Sequence, residues 1–483
     1  MSRIAYLVLG AAAFALLAAG AGATVGSSSH NSPGVTHGVV VGDVTAHSAV
    51  VWARGDREGT LKVQLSGGKH HGGARIDTHA ADDYTGQVVL TGLKPDTTYR
   101  YRVGSERGTF RTAPAADDAD SVRLAFGGDV AGQNVCRDTR EGFPIMETIR
   151  DLRPDVFVGL GDMIYAGDTC NAIGRYGNAQ LEGPGPSADL PTYWAHWRYN
   201  RGDAGLQRLL QSTGYVGVWD DHEIVNDAGP LHDTRDTPPY TPGVHLLPIG
   251  LEAFLDYTPI AIAPNTPKRL YRSLRWGKHL ELFVLDTRQY RDANIASDSA
   301  DRPKTMLGRE QLTWLKESLA ASDATWKVIV SSVPMSIPTG FPAANGRDGW
   351  ANFDQTTGFE RELLDILRFL EGRPKLNTLW ITTDVHFAEA FRYRPFPANP
   401  AFVVHELASG PLNAGIFPNP DFDTTLNPQR LFGPRPAAQA TTYEQAKDGF
   451  NFGTVEVDSR GRLTAGFVNT AGVTQFSLTL TPH

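Results

Sequence analysis

Val156-Phe157-Val158-Gly159-Leu160-Gly161-Asp162-Met163-Ile164-Tyr165 begins as a short apolar run and stops abruptly at a Gly-Asp pair, with a tyrosine three residues on. The apolar half is of the kind that forms a buried strand. A carboxylate at the end of such a strand needs a partner, because burying an unpaired charge costs several kcal/mol. Asp162 is therefore expected in a crevice, in a salt bridge or on a cation. A Gly-Asp pair also opens turns and caps helices, so the reading rests on recurrence. Leu124-Ala125-Phe126-Gly127-Gly128-Asp129, Val216-Gly217-Val218-Trp219-Asp220-Asp221-His222-Glu223, Leu282-Phe283-Val284-Leu285-Asp286-Thr287-Arg288 and Leu379-Trp380-Ile381-Thr382-Thr383-Asp384-Val385-His386 repeat the scheme. Five strand-like segments each deliver an acid at the carboxyl end, and two carry a histidine within two residues. Ligands in open α/β sheets gather at that edge.

The chain of 483 residues is too long for one ordinary core, and 41% hydrophobic with 20% charged residues describes a folded soluble protein. A formal charge of −8 argues against a nucleic-acid-binding module and suits bound multivalent cations. Residues 1–23 read as a signal peptide: Arg3 supplies the positive region, Ile4 to Ala19 the apolar run, and Ala21-Gly22-Ala23 the small-residue cleavage pattern. The mature protein is thus expected to be secreted or periplasmic, without a stable membrane span. Cys136 and Cys170 each follow an acid-bearing strand. In an oxidising compartment a disulfide is the leading reading, with about 3 to 4 kcal/mol from chain entropy. Free thiols or a Cys-metal contact are the alternatives.

Residues 35–115 show alternation without a helical period, which predicts a β-sandwich. Leu93-Lys94-Pro95-Asp96-Thr97-Thr98-Tyr99-Arg100-Tyr101 resembles the tyrosine corner of fibronectin type III domains, with Tyr99 or Tyr101 bonding back to the backbone. Over 121–483 strands alternate with helices, implying an α/β layered domain. Helices are expected over Pro144 to Leu152, Pro191 to Tyr199, Gly308 to Ala321 and Phe359 to Leu370. Gly/Pro-rich insertions at 171–190, 226–248, 338–357 and 410–437 are long enough to wall a site. Three strands near the C-terminus, the first two joined by a turn at Asp458-Ser459-Arg460-Gly461, are expected to complete a second sheet.

Two hard cations sharing a carboxylate hydrolyse phosphate esters by clamping phosphoryl oxygens, generating hydroxide and neutralising the leaving oxygen. Such a site needs mainly oxygen ligands with one or two imidazoles, which the strand-end acids and histidines supply. The ordered motifs Gly127-Gly128-Asp129, Gly161-Asp162-x-x-Tyr165, Trp219-Asp220-Asp221-His222-Glu223, Asp286-Thr287-Arg288-Gln289-Tyr290-Arg291 and Asp384-x-His386 resemble the PhoD-like alkaline phosphatase/phosphodiesterase family of calcineurin-like metallophosphoesterases, which is related to purple acid phosphatases. The resemblance implies a fibronectin/Ig-like β-sandwich followed by an αββα metallophosphoesterase domain. It also implies hydrolysis of phosphate monoesters or diesters by a metal-bound hydroxide.

Carried over residue by residue, the resemblance makes Asp162 the bridge between two metals. Asp129, Tyr165 and His386 complete a ferric site, with Tyr165 as phenolate. Asp221 and Asp384 hold calcium with Asp162, and Asp220 or Asn226 is a further contributor. Zinc or manganese are the alternative metals. His222 is implied to contact the phosphate and protonate the leaving group, and Arg288 to bind a phosphate oxygen. The resemblance is not complete: family members commonly have a cysteine where this chain has Asp129, an aspartate shared with purple acid phosphatases, and the twin arginine of family export signals is absent. The substrate class extends from small phosphoesters to phospholipid head groups or a teichoic-acid-like polymer. A phospholipase D-like activity would favour an apolar approach formed by Phe341-Pro342 and Phe417-Pro418. The alternative outside enzymes is an exported binding protein with a degenerate catalytic domain.

Overall fold

Alternation with a period of two builds the strands, and it separates the interior into three layers. In the computed structural model, which describes residues 32–67, 70–230, 243–340, 346–352, 357–418, 421–433 and 440–483, seven strands come first. They are β1 (Val35–Gly42), β2 (Ser48–Gly55), β3 (Gly59–Gly67), β4 (His70–Thr78), β5 (Thr85–Thr91), β6 (Thr98–Val103) and β7 (Glu106–Arg111). The expected leader over 1–23 and Phe341-Pro342 lie outside the described residues. β4, β3, β6 and β7 form a four-stranded sheet, whereas β1, β2 and β5 end a nine-stranded one. The inward residues Val39, Val51, Leu61, Val63, Tyr99 and Phe110 of both groups share one core. The tyrosine corner is present: the Lys94 amide donates to the Tyr99 hydroxyl at 2.9 Å.

The remaining strands are β8 (Val122–Gly127), β9 (Val156–Gly159), β10 (Gly214–Gly217), β11 (Arg272–Trp276), β12 (Leu280–Val284), β13 (Trp326–Val330), β14 (Asn377–Thr382), β15 (Glu389–Tyr393), β16 (Val404–Ala408), β17 (Pro428–Phe432), β18 (Asn451–Val457), β19 (Leu463–Asn469) and β20 (Thr474–Leu480). The nine-stranded sheet runs β20-β19-β18-β8-β9-β10-β1-β2-β5, and a seven-stranded sheet runs β11-β12-β13-β14-β16-β15-β17. β8, β9 and β10 are parallel, as are β12, β13, β14 and β16, so each group ends at one edge of its sheet. The three C-terminal strands complete one end of the nine-stranded sheet. β18 pairs antiparallel with β8 and extends the sheet that carries the first acids. The Asp458 turn closes the β18–β19 hairpin as expected, with the Asp458 amide on the Arg462 carbonyl at 3.0 Å.

Val122, Leu124 and Phe126 of β8, Val156 and Val158 of β9, and Leu280, Leu282 and Val284 of β12 meet in the core between the sheets. The intervening Ala125 and Phe157 face one helical layer, and Phe283 faces the other. The first layer holds α1 (Ile145–Leu152), α2 (Leu190–Arg201), α3 (Ala204–Ser212), α4 (Gly243–Tyr257) and, after the second layer in the chain, α7 (Tyr443–Gly449). The second layer is α5 (Gly308–Ala321) and α6 (Glu360–Glu371). Each fully buried aliphatic or aromatic side chain stabilises this four-layer stack by about 1.5 to 3 kcal/mol. Three of the expected helices are displaced by only a residue or two at their ends, and α5 has the expected bounds. α4 departs from expectation, because it starts inside the insertion placed at 226–248 and accommodates Pro248 within the helix.

Candidate metal centre

The acids stand where β8, β9, β10 and β14 end, and the backbone there turns sharply. Asp129, Asp162, Asp384 and His386 have φ of 64°, 53°, 79° and 61°, in the left-handed region that non-glycine residues rarely occupy. Such conformations persist only where surrounding contacts fix them, and they cluster at functional sites. Glu223 supplies part of that fixation. Its carboxylate accepts the amides of Asp162 at 2.9 Å, Met163 at 2.7 Å and Asp220 at 2.7 Å, tying the end of β9 to the end of β10. Two glycines make room: a Cβ on Gly132 would lie 2.5 Å from the Tyr165 ring, and one on Gly410 2.2 Å from Asp129 Oδ2.

Two adjoining groups of ligand atoms result. In the first, the Tyr165 hydroxyl lies 2.9 Å from His386 Nε2 and 3.2 Å from Asp129 Oδ1, and His386 Nε2 lies 3.5 Å from Asp129 Oδ1. His386 Nδ1 donates to the Gly415 carbonyl at 2.5 Å, which leaves the lone pair on Nε2, facing the tyrosine. Thr383 donates to the other Asp129 oxygen at 2.8 Å. In the second group, one oxygen each of Asp162, Asp220, Asp221 and Asp384 lie within 4.8 Å of one another. A His222 nitrogen joins Asp162 and Asp221 on the same criterion, and the His222 ring packs 3.9 Å from that of Tyr165.

The electrostatics of these groups call for cations. Asp162 Oδ2, Asp220 Oδ2, Asp221 Oδ1 and Asp384 Oδ2 are buried and have no hydrogen-bond partner among the described residues. Burial, reinforced by the neighbouring acids, raises Asp162 and Asp384 well above the usual carboxylate range. Burial also raises Asp129 to about 7 and Asp220 to about 6. It lowers His222 and His386 to about 4, so both imidazoles are neutral at neutral pH. Unpaired buried carboxylate oxygens beside neutral imidazoles and a phenol are a donor set that fits hard multivalent cations.

Residues 124–467 match the PhoD-like phosphatase family, and residues 20–114 match the PhoD-like phosphatase N-terminal domain. The chain belongs to the PhoD-like phosphatase family. It is 25% identical over 391 residues to alkaline phosphatase D of Bacillus subtilis (strain 168), an overlap covering 73% of this chain and 64% of that protein. The chain thus spans just under two thirds of that relative. Its fold resembles the solved structure of PhoD, with TM-score 0.71 and 20% identity over 94% of this chain and 90% of that one. It also resembles the purple acid phosphatase PPD1 from yellow lupin (Lupinus luteus) seeds, with TM-score 0.59 and 14% identity over 93% and 74%.

Within this PhoD-like chain, Asp129, Asp162, Tyr165, Asp221, His222, Asp384 and His386 come together, while two motif residues serve differently. Asp286 accepts the Trp219 indole N–H at 2.9 Å and the amides of Arg288 and Gln289 at 3.1 Å, closing its own turn. Arg288 is fully buried and its nitrogens are engaged. Nε meets Asp220 at 2.5 Å, Nη1 and Nη2 grip Asp348 at 2.6 and 2.7 Å, and Nη1 also reaches the Ala228 carbonyl at 3.3 Å. Arg288 thus sits in an ion network with Asp220 and Asp348, for which bidentate arginine–carboxylate geometry is well suited. Burial opposes the charge of Asp348, but the guanidinium groups of Arg288 and Arg291 outweigh it and hold that carboxyl well below the usual range. Sequence reading missed Glu223, Asp227 and Asp348. Asp221, Asp227 and Asp348 form a third acidic group. The available signal was the closely spaced Arg288 and Arg291, two cations on one turn that require an acid from elsewhere. Glu406 accepts the Met335 amide and the Thr382 hydroxyl, both at 2.8 Å. Cys136 and Cys170 form the expected disulfide, with Cα atoms 5.9 Å apart.

Proposed function

We propose that the chain is an exported, metal-dependent phosphoester hydrolase acting on phosphate monoesters, diesters or both. The observation that carries this reading is the meeting of Asp129, Tyr165 and His386 beside the four-carboxylate group, with Asp162 next to both. Asp162 would bridge two cations, with Asp129, Tyr165 and His386 on one side and Asp220, Asp221 and Asp384 on the other. Burial holds the Tyr165 phenol well above its ordinary range, so its ionisation calls for a strong Lewis acid; this favours ferric iron at that position and calcium at the carboxylate-rich one. When bound, such cations polarise the phosphoryl group and activate water.

The protein's own groups would do the rest. The Glu223 clamp presents Asp162 and Asp220 at fixed positions. His222 would meet a phosphate oxygen and protonate the leaving group; burial, joined by His386 and Arg288, lowers it to about 4, so the proton would arrive with the anionic substrate. Arg288 would act by holding Asp220 and Asp348 in place. The Cys136–Cys170 disulfide supports export to an oxidising compartment. Among the described residues no helix is long and apolar enough to cross a membrane. The three- and four-stranded groups of residues 35–111, with their tyrosine corner, support a fibronectin-like N-terminal domain. A phospholipid-directed reading draws on Phe417, 37% exposed and 4.6 Å from the His386 ring, which offers an apolar surface to the substrate.

The test is turnover of p-nitrophenyl phosphate and bis(p-nitrophenyl) phosphate by the wild type and by Asp162→Ala, before and after chelation. Hydrolysis should fall more than about a hundredfold in the variant and on chelation. Undiminished turnover in either condition would refute the reading.

A further inference from the structure

An acidic site that takes an anionic ester needs positive charge from the protein as well as from its cations, and the buried Arg288 and Arg291 beside it are already committed to Asp220 and Asp348. Arg175 is different. It is exposed, its guanidinium carbon lies 5.7 Å from the Phe417 ring centre and 6.0 Å from that of Tyr176, and among the described residues it has no carboxylate partner and no side-chain hydrogen bond. Phe417 in turn lies 4.6 Å from the ring of His386. His386, Phe417 and Arg175 therefore form a series leading outward from the ligand set. The series is held by both loops: the Ile416 amide donates to the Tyr176 hydroxyl at 3.0 Å, and the Arg175 amide donates to the Asn134 carbonyl at 2.8 Å. The same loop is pinned by the Cys136–Cys170 disulfide and by the Gln180 side chain on Asn134 at 2.7 Å. An arginine steadied by aromatic rings presents its remaining N–H groups as a planar fork for an oxyanion.

We infer that Arg175 is a substrate-contacting specificity residue that takes a second acidic group on the organic part of the phosphoester, one ring's breadth beyond the scissile phosphate, while Phe417 packs against the intervening carbons. This rests on the proposed phosphoesterase reading and narrows its substrates to esters carrying a further anion.

The experiment measures inhibition of p-nitrophenyl ester hydrolysis by glycerol 3-phosphate and 3-phosphoglycerate, which differ by a carboxylate. It uses the full metal-loaded chain, Arg175→Ala and Arg175→Lys. The wild type should favour 3-phosphoglycerate by about tenfold, the scale of one charge-assisted hydrogen bond. Arg175→Ala should abolish that preference and Arg175→Lys should retain part of it, a differential that a merely structural role would not produce. Equal inhibition in the wild type, or a preference that survives in Arg175→Ala, overturns the inference. If the wild type hydrolyses no reporter ester, the phosphoesterase reading fails first and the inference falls with it.

Discussion

Arg288 illustrates what a single residue reveals in sequence and what it conceals. Its motif, Asp286-Thr287-Arg288, was legible, but its partner Asp348 lies sixty residues away inside an insertion with no periodic pattern. Resemblance therefore implied a phosphate contact, without the ion network with Asp220 and Asp348 that the fold builds around it. Breaking a buried ion pair by removing one partner typically costs about 3 to 5 kcal/mol, because the other charge is stranded. Arg288→Ala should lose stability on that scale in denaturant unfolding, with Arg288→Lys intermediate. An unchanged unfolding midpoint would show that Asp220 and Asp348 do not depend on it. Asp162 and His386 were legible for the opposite reason, since each follows shortly after a buried apolar strand that marks its place at the sheet edge.

At the scale of elements, β8, β9, β10, β12 and β14 were legible because each reads as a short apolar run broken by an acid. The edges were less so: β4 and β5 are exposed on one face and carry glycine and polar residues, α3 is short, and α4 contains a proline that reads as a stop. Glu223 shows what pattern reading omits. It sits in the conspicuous Asp-Asp-His-Glu run, yet its work is structural, accepting three buried amides from two strand ends. Each donor left unsatisfied costs about 1 to 3 kcal/mol. Glu223→Ala should therefore destabilise the fold by several kcal/mol and reduce metal retention, whereas Glu223→Gln should do less of both. Equal stability of Glu223→Ala and the wild type would contradict the clamp.

Across the whole molecule, β1, β2 and β5 of the N-terminal strands share a sheet with the acid-bearing β8, β9 and β10, joined where Val41 and Gly42 of β1 pair with Gly214 and Tyr215 of β10. Strand composition foretold a strand-rich N-terminal part and a mixed α/β remainder but not their shared sheet, because pairing partners far apart in sequence leave no local pattern. The same long-range assembly gathers acids from four strands, and their charge sets the pH response of the metal-free protein. Burial raises Asp129 from 3.8 to about 7, and Glu223 from 4.5 to about 8. Between those values the folded state keeps protons that the unfolded chain has released, so stability falls as pH rises from about 4 to about 8. Chelator-treated protein should show this decline in unfolding midpoints, and metal-loaded protein should resist it; parallel profiles would contradict the argument. The most direct test of the central claim is the metal content of purified wild type and Asp162→Ala by elemental analysis, read beside their hydrolytic rates. The account predicts about two multivalent cations per wild-type chain, and loss of metal and hydrolysis together in the variant. Active wild type without tightly bound metal, or Asp162→Ala with full metal and full activity, would contradict it.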